Sequence, residues 1–205
     1  VHTSHRTYNK LSKRAEIVSA ARNVFIKKGF GAATLDEIAQ AADVAKGTLY
    51  GYFQNKEDLF VSLVEDELDK IRVLVLETLG TEPKVIRGIQ RFIHESIGQS
   101  DQHWAILRIF TPEGIRVVAQ RHPEVRDRIL PRFREIARLT ASHLSRGIEN
   151  GELKPINPDV MAMNLLWLLR SVSIDWRLLR DEEVPKDVVS SITTLFLKGA
   201  QEEEA

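Results

Sequence analysis

The sequence predicts an all-α fold in two parts, and three observations carry that expectation. No stretch shows sustained period-two alternation bounded by turn pairs, so strands have no signal. Apolar residues recur instead at helical spacing in successive segments bounded by Gly or Pro. Residues 34–56, TLDEIAQAADVAKGTLYGYFQNK, read as two short helices about a tight turn, followed directly by the start of a third. The parts expected are residues 1–58, with the helix-turn-helix at about 34–53, and a helical bundle over 59–205.

The first helix is expected from about Ser12 to Lys28, with Ile17, Ala21, Val24 and Phe25 inward and Gly29 as its stop. In the next, Thr34 and Glu37 have the spacing of a capping box. Leu35, Ile38, Ala39 and Ala42 fall on one stripe behind it. Asp43 tolerates a left-handed turn. The short helix after it is poor in bulky apolar residues: only Leu49 and Phe53, four apart, can face a core. Lys46, Gly47, Thr48, Tyr50, Gly51 and Tyr52 form a small, hydroxyl-rich, singly basic surface suited to phosphates and base edges. Asn55 can cap the following helix, with Glu57 and Asp58 in its first turn, where the dipole favours acids.

That helix is expected from Lys56 to about Leu79, closed by Gly80. Segments at about 83–100, 101–110, 112–122 and 123–151 follow, opened by Pro83, Pro112 and Pro123. Pro131 lies inside a helical pattern and predicts a break or kink. A further helix from Pro158 to about Leu179 has almost no polar face, and a helix apolar all round must be buried on all sides. In a domain this small, a second copy of the chain is the favoured source of that burial, against the alternative of a central core helix. The last helix, from Pro185 to about Gln201, carries Val188, Ile192, Leu195 and Phe196 on one side.

Composition narrows the function. An apolar fraction of 43% supports a real core, and the absence of cysteine excludes disulfides and thiolate metal sites. An intracellular, cytoplasmic protein is expected, with no membrane span. Net charge is zero, but residues 1–30 hold seven basic residues against one acidic residue, a net of +6, so the remainder carries −6. A basic end on a neutral chain is the footprint of a local DNA contact, or of a solvated basic tail. The six histidines lack metal-ligand spacing, and no nucleophile, Walker or dinucleotide motif occurs, so no enzyme, metal or cofactor is expected. The arginines from Arg116 to Arg138 alternate with acids and predict a salt-bridged, exposed face.

The N-terminal residues resemble the DNA-binding segment of TetR-type transcriptional regulators. The resemblance covers about the first sixty residues. It includes the helix from Arg14 to Lys28 ending at Gly29-Phe30-Gly31, and the string Lys46-Gly47-Thr48-Leu49-Tyr50 through Tyr52-Phe53 to Lys56-Glu57. Two positions depart from the pattern: Ala45 stands where a capping Ser is common, and Gly51 where His is. Each costs ~1 kcal/mol of helix stability.

The resemblance implies a homodimer on double-stranded DNA. Thr48, Tyr50, Tyr52 and Lys56 would grip phosphates, Thr34 the backbone from the first helix, and Lys46 and Gly47 would approach base edges. It implies a four-helix dimer seam from the last two helices, placed here on Leu165, Leu169, Val172, Trp176, Val188, Ile192, Leu195 and Phe196. It also implies a small-molecule effector pocket in the second part, with Phe92, Trp104, Phe110, Phe133 and Trp167 as candidate lining and Arg108, His143 or Arg170 as polar anchors. The helix from Lys56 would carry the switch, a ligand near Val75 and Leu79 tilting it. The competing reading is a helical protein-interaction module that keeps the helix-turn-helix shape without reading DNA.

Overall fold

The computed structural model describes residues 2–98, 123–174 and 187–200. These form eight helices and no strand: α1 (His2–Ala32), α2 (Leu35–Ala41), α3 (Lys46–Tyr50), α4 (Lys56–Thr78), α5 (Val85–Gly98), α6 (Pro123–Glu149), α7 (Pro158–Ile174) and α8 (Val188–Ala200). The segments expected over 101–110 and 112–122 lie outside the described residues. Two compact units result. Among the described residues the first comprises 2–67 and 123–129, and the second 68–98, 130–174 and 187–200.

In the first unit α1 packs on α2, and α2 on α3. Helix α1 begins at His2, ten residues before the start expected from the apolar pattern. Gly29 interrupts it with φ 75°, a left-handed backbone that glycine adopts without steric cost. The chain thereby turns Phe30 back onto Phe25 and Phe60, with ring centroids 4.8–5.7 Å apart and the Phe25–Phe60 pair edge-on. Ile17, Ala21, Phe25, Ile38, Leu49, Phe53, Leu59, Leu63 and Val64 are buried around this cluster. The first three turns of α4 therefore belong to the first unit, and the division falls after Glu67 rather than at the start of the helix. Within this core, Glu67 is fully buried and paired with Arg22 of α1.

The second unit is built on strongly amphipathic α5, whose Val85, Ile89, Phe92, Ile93 and Ile97 are all buried. Helix α5 packs on α7 and α8, and α7 on α8. The first turn of α5 gains an acceptor from Glu152, whose Oε2 takes the Ile86 N–H at 3.3 Å. Arg146 donates to the carbonyls of Leu79 and Glu82, at 2.9 and 3.1 Å, and so closes the end of α4. Asn157 caps α7 through the N–H groups of Asp159 and Val160, with Pro158 at the first helical position.

A break or kink is expected at Pro131, and α6 continues through it as one helix. Proline removes the bond to the Asp127 carbonyl, but both residues are exposed and water can satisfy that oxygen. Ile129 and Ile136 hold the buried face on either side. Two arginines of this helix reach acids on α4, Arg128 meeting Asp58 and Glu65 and Arg132 meeting Asp69 at 2.7 Å, while Arg126 pairs with Asp127 on α6 itself at 3.5 Å. No helix among the described residues is long and apolar enough to cross a membrane, and none of their His, Cys, Asp and Glu side chains cluster to hold a metal.

Helix α7 is divided rather than buried all round. Ala162, Leu165, Leu166 and Leu169 face inward, while Val160, Asn164, Trp167 and Ser171 form an exposed stripe at spacings of four, three and four. The seam residues expected here fall on both sides of this division. Leu165, Leu169, Val188 and Ile192 are at most 9% exposed and belong to the protomer's own core. Leu195 is 71% exposed and Phe196 half-buried. Trp176 and the side chain of Val172 lie outside the described residues.

Candidate nucleic-acid interface

The helix-turn-helix is assembled from main-chain chemistry that each residue type dictates. Thr34, extended at φ −117°, accepts the Glu37 N–H on its Oγ1 at 3.3 Å and donates its own N–H to the Glu37 carboxylate at 3.1 Å. This reciprocal capping box uses a lone pair of the threonine hydroxyl and leaves the exposed O–H proton to donate outward. Lys28 holds the same carboxylate at 2.6 Å and, with Thr34, keeps the Glu37 pKa below its ordinary value.

Helix α2 ends in a Schellman turn. The Val44 N–H reaches the Ala39 carbonyl at 3.0 Å and the Asp43 N–H that of Gln40 at 3.2 Å, with Asp43 at φ 50° in the left-handed region. Helix α3 then starts at Ala45, which contributes no side-chain cap. Leu49 at 0% and Phe53 at 2% exposure pin it to the core, while Lys46, Gly47, Thr48 and Tyr50 are exposed and Tyr52 is half-buried. Gly51 caps the C-terminus of α3, with its N–H directed to the carbonyls of Gly47 and Thr48.

Lys46 does not stand alone on this surface. Its Nζ lies 2.6 Å from Asp36 Oδ1, and that bond raises the lysine pKa, so the charge is secure. To reach a guanine edge it must exchange the carboxylate for the base. Gly47 has nothing within 4 Å of where a Cβ would stand, so no packing within the protein requires glycine there. Gly47→Ala is therefore expected to stabilise the chain by up to ~1 kcal/mol through helix propensity. If a nucleic acid approaches this backbone closely, the same variant loses affinity for it. Thermal melts paired with duplex titrations separate the two effects, and unchanged affinity would place Gly47 away from the contact.

Lys56, expected to grip a phosphate, is engaged within the protein. Its ammonium donates to the carbonyls of Phe30, Gly31 and Ala33 at 2.8, 3.2 and 3.0 Å, and it lies 4.7 Å from the Phe30 ring centroid. An ammonium has three N–H groups, and these three carbonyls use them. Lys56 is thus the clasp that fastens the α1–α2 turn to the first turn of α4. The sequence shows its position on a motif but not the three carbonyls folded around it.

In the second unit the candidate ligand residues are dispersed. Phe133, Trp167 and Arg170 come together: the two rings are 6.1 Å apart and the guanidinium lies 4.7 Å from the Trp167 centroid. Trp167 faces outward, on an open groove of about 590 Å³ between α7 and α8 that also includes Ile156, Met161, Leu195 and Phe196. Phe92 is packed in the core at 1% exposure. His143 is half-buried; burial and nearby Arg146 hold its pKa below the usual value, and its Nε2 has no hydrogen-bond partner among the described residues. Trp104, Arg108 and Phe110 lie outside the described residues.

Known proteins place this arrangement in a class. Residues 17–63 match the model of bacterial regulatory proteins of the tetR family, and residues 118–192 that of the tetracyclin repressor-like C-terminal domain. The chain belongs to the TetR family and is a transcriptional regulator. It is 25% identical over 91% of its length, and 95% of the relative's, to the HTH-type transcriptional regulator YhgD of Bacillus subtilis. Its fold is similar to that of the fatty acid degradation regulator FadR from Bacillus halodurans, with TM-score 0.78, 24% identity and coverage of 91% and 95% of the two chains. The regulator FadR from Bacillus subtilis, solved in complex with stearoyl-CoA, superposes with TM-score 0.68 at 21% identity, covering 90% and 98%.

Proposed function

We propose that this chain is a homodimeric repressor that binds a palindromic operator in double-stranded DNA through α2 and α3 and is released by a small-molecule effector. The observation that carries the reading is the outer face of α3. Lys46, Gly47, Thr48 and Tyr50 are all exposed on a helix held from behind by Leu49 and Phe53 alone. A short helix presenting donors, a small residue and an aromatic hydroxyl suits a major groove better than a protein surface. Thr34, Thr48, Tyr50 and Tyr52 supply phosphate contacts, while Lys46 and Gly47 face the bases.

One similar structure supports a choice of effector to test first. Stearoyl-CoA in the complex of the Bacillus subtilis regulator makes a long-chain acyl thioester the first compound to test. An effector beside the far half of α4, near Val75 and Leu79, would tilt that helix. To lower operator affinity a hundredfold it must favour the DNA-incompetent state by ~2.7 kcal/mol. Linkage requires the operator to weaken effector binding by the same factor.

Fluorescence anisotropy with a duplex recovered by in vitro selection tests both steps. Affinity should fall linearly on a log–log plot against salt, as phosphate contacts release counterions. A chain that fails to bind any duplex at low salt is the protein-interaction module instead. If long-chain acyl thioester binds with equal affinity in the presence and absence of operator, it is not the releasing ligand.

A further inference from the structure

We propose that Arg128 is a positioning residue for DNA recognition: without touching DNA, it sets the first turn of α4 and, through it, the loop that ends α3. This rests on the DNA-binding function proposed above. Arg128 lies near the start of α6, in the stretch 123–129 that belongs to the first unit. Its guanidinium forks onto Glu65, with Nε 3.1 Å from Oε1 and NH2 2.5 Å from Oε2. NH1 donates to Asp58 Oδ1 at 2.7 Å, and NH2 also reaches the Ser62 hydroxyl at 3.3 Å.

Asp58, Ser62 and Glu65 are spaced by four and three, one stripe along the first turns of α4. Planar guanidinium geometry matches all three acceptors at once, which a lysine ammonium on a flexible stem does not. Ser62 is 3% exposed and the Glu65 side chain 14%, whereas Asp58 is 27% and Arg128 35% exposed, so water competes less for the Ser62 and Glu65 ends than for Asp58.

The contact continues past the carboxylate. The other oxygen of Asp58 accepts the Gln54 N–H at 3.2 Å, and the Asp58 N–H donates to Asn55 Oδ1 at 2.7 Å. Gln54 follows Phe53 directly, the buried ring that anchors the end of the recognition segment. One guanidinium, one carboxylate and one main-chain amide thus connect α6 to the loop after α3.

The test uses the full chain and the duplex selected by the wild type, at a temperature where circular dichroism shows every variant fully helical. Arg128→Gln is expected to weaken specific binding by about tenfold, the loss of a charge-assisted bond at a site that must be held in one geometry. The slope of affinity against salt should stay unchanged, whereas loss of a phosphate contact would reduce it by ~1. Arg128→Lys should recover only part of the loss. If Arg128→Gln does not fold, Arg128→Lys carries the test by the same two readouts.

Wild-type affinity in the folded variant, a salt slope reduced by one unit, or full recovery with lysine would each overturn the proposal. The wild-type titration keeps the two readings apart. A wild type that binds no duplex removes the DNA-binding function, whereas a binding wild type with unaffected variants removes only the role of Arg128.

Discussion

Arg22→Ala is expected to cost ~3–5 kcal/mol of stability, the cost of breaking a buried ion pair by removing one partner. Glu67 is fully buried on α4 and the Arg22 side chain 14% exposed on α1, and their side chains meet across the core of the first unit. Without the guanidinium, the buried Glu67 carboxylate loses a charged donor, and holding its negative charge away from water becomes more costly. Against a typical total of ~5–15 kcal/mol, the loss would leave the variant close to unfolding. Replacing both partners by apolar residues, Arg22→Met with Glu67→Leu, should recover most of it, because desolvation of the pair offsets much of its attraction. Urea unfolding followed by circular dichroism measures both variants. A cost below ~1 kcal/mol for Arg22→Ala is the behaviour of an exposed salt bridge and would contradict the burial of Glu67.

That pair shows where sequence reading stops. The helix-turn-helix was legible because its determinants are local. Thr34 and Glu37 stand three apart, Asp43 sits where the backbone must turn left-handed, and Leu49 and Phe53 share one face. The charge partners were not legible, because they are 45 to 70 residues apart in the chain. Arg22 with Glu67 and Arg128 with Asp58 and Glu65 have no spacing that a helical pattern can detect. The arginines of α6 have acids beside them in sequence, and those neighbours suggested pairing along one helix; the structure pairs Arg128 and Arg132 with α4 instead. Lys56 illustrates the same limit at shorter range. A basic residue after a recognition segment points to phosphate, yet three carbonyls at the end of α1 and the turn beyond it surround its ammonium. At Pro131 a local rule foretold a break or kink, and the helix continues there because the orphaned carbonyl is exposed to solvent.

Leu195→Asp is expected to convert the proposed dimer to a monomer and to abolish tight operator binding. Leu195 is 71% exposed in the protomer, so an aspartate there meets water and leaves the fold of the single chain undisturbed. Ile156, Val160 and Trp167 are 40%, 52% and 41% exposed on the same part of the second unit, a concentration of large apolar surface on and beside α7 and α8. In a two-fold dimer formed through these helices, the charge would be buried near its own copy without a cation, at a cost of several kcal/mol. Leu169→Asp cannot make this distinction: Leu169 is 1% exposed, and a charge there disrupts the protomer whether or not it has a partner. Sedimentation equilibrium should show the Leu195→Asp monomer with its helical circular dichroism retained. Binding to a palindromic duplex should then fall by ~10²–10⁴-fold, because each half-site is held without the effective concentration that linkage to the other supplies. Val160→Asp, on α7 rather than α8, should behave in the same way if both helices form the seam. Two variants that still sediment as dimers of wild-type affinity would move the interface off this face altogether.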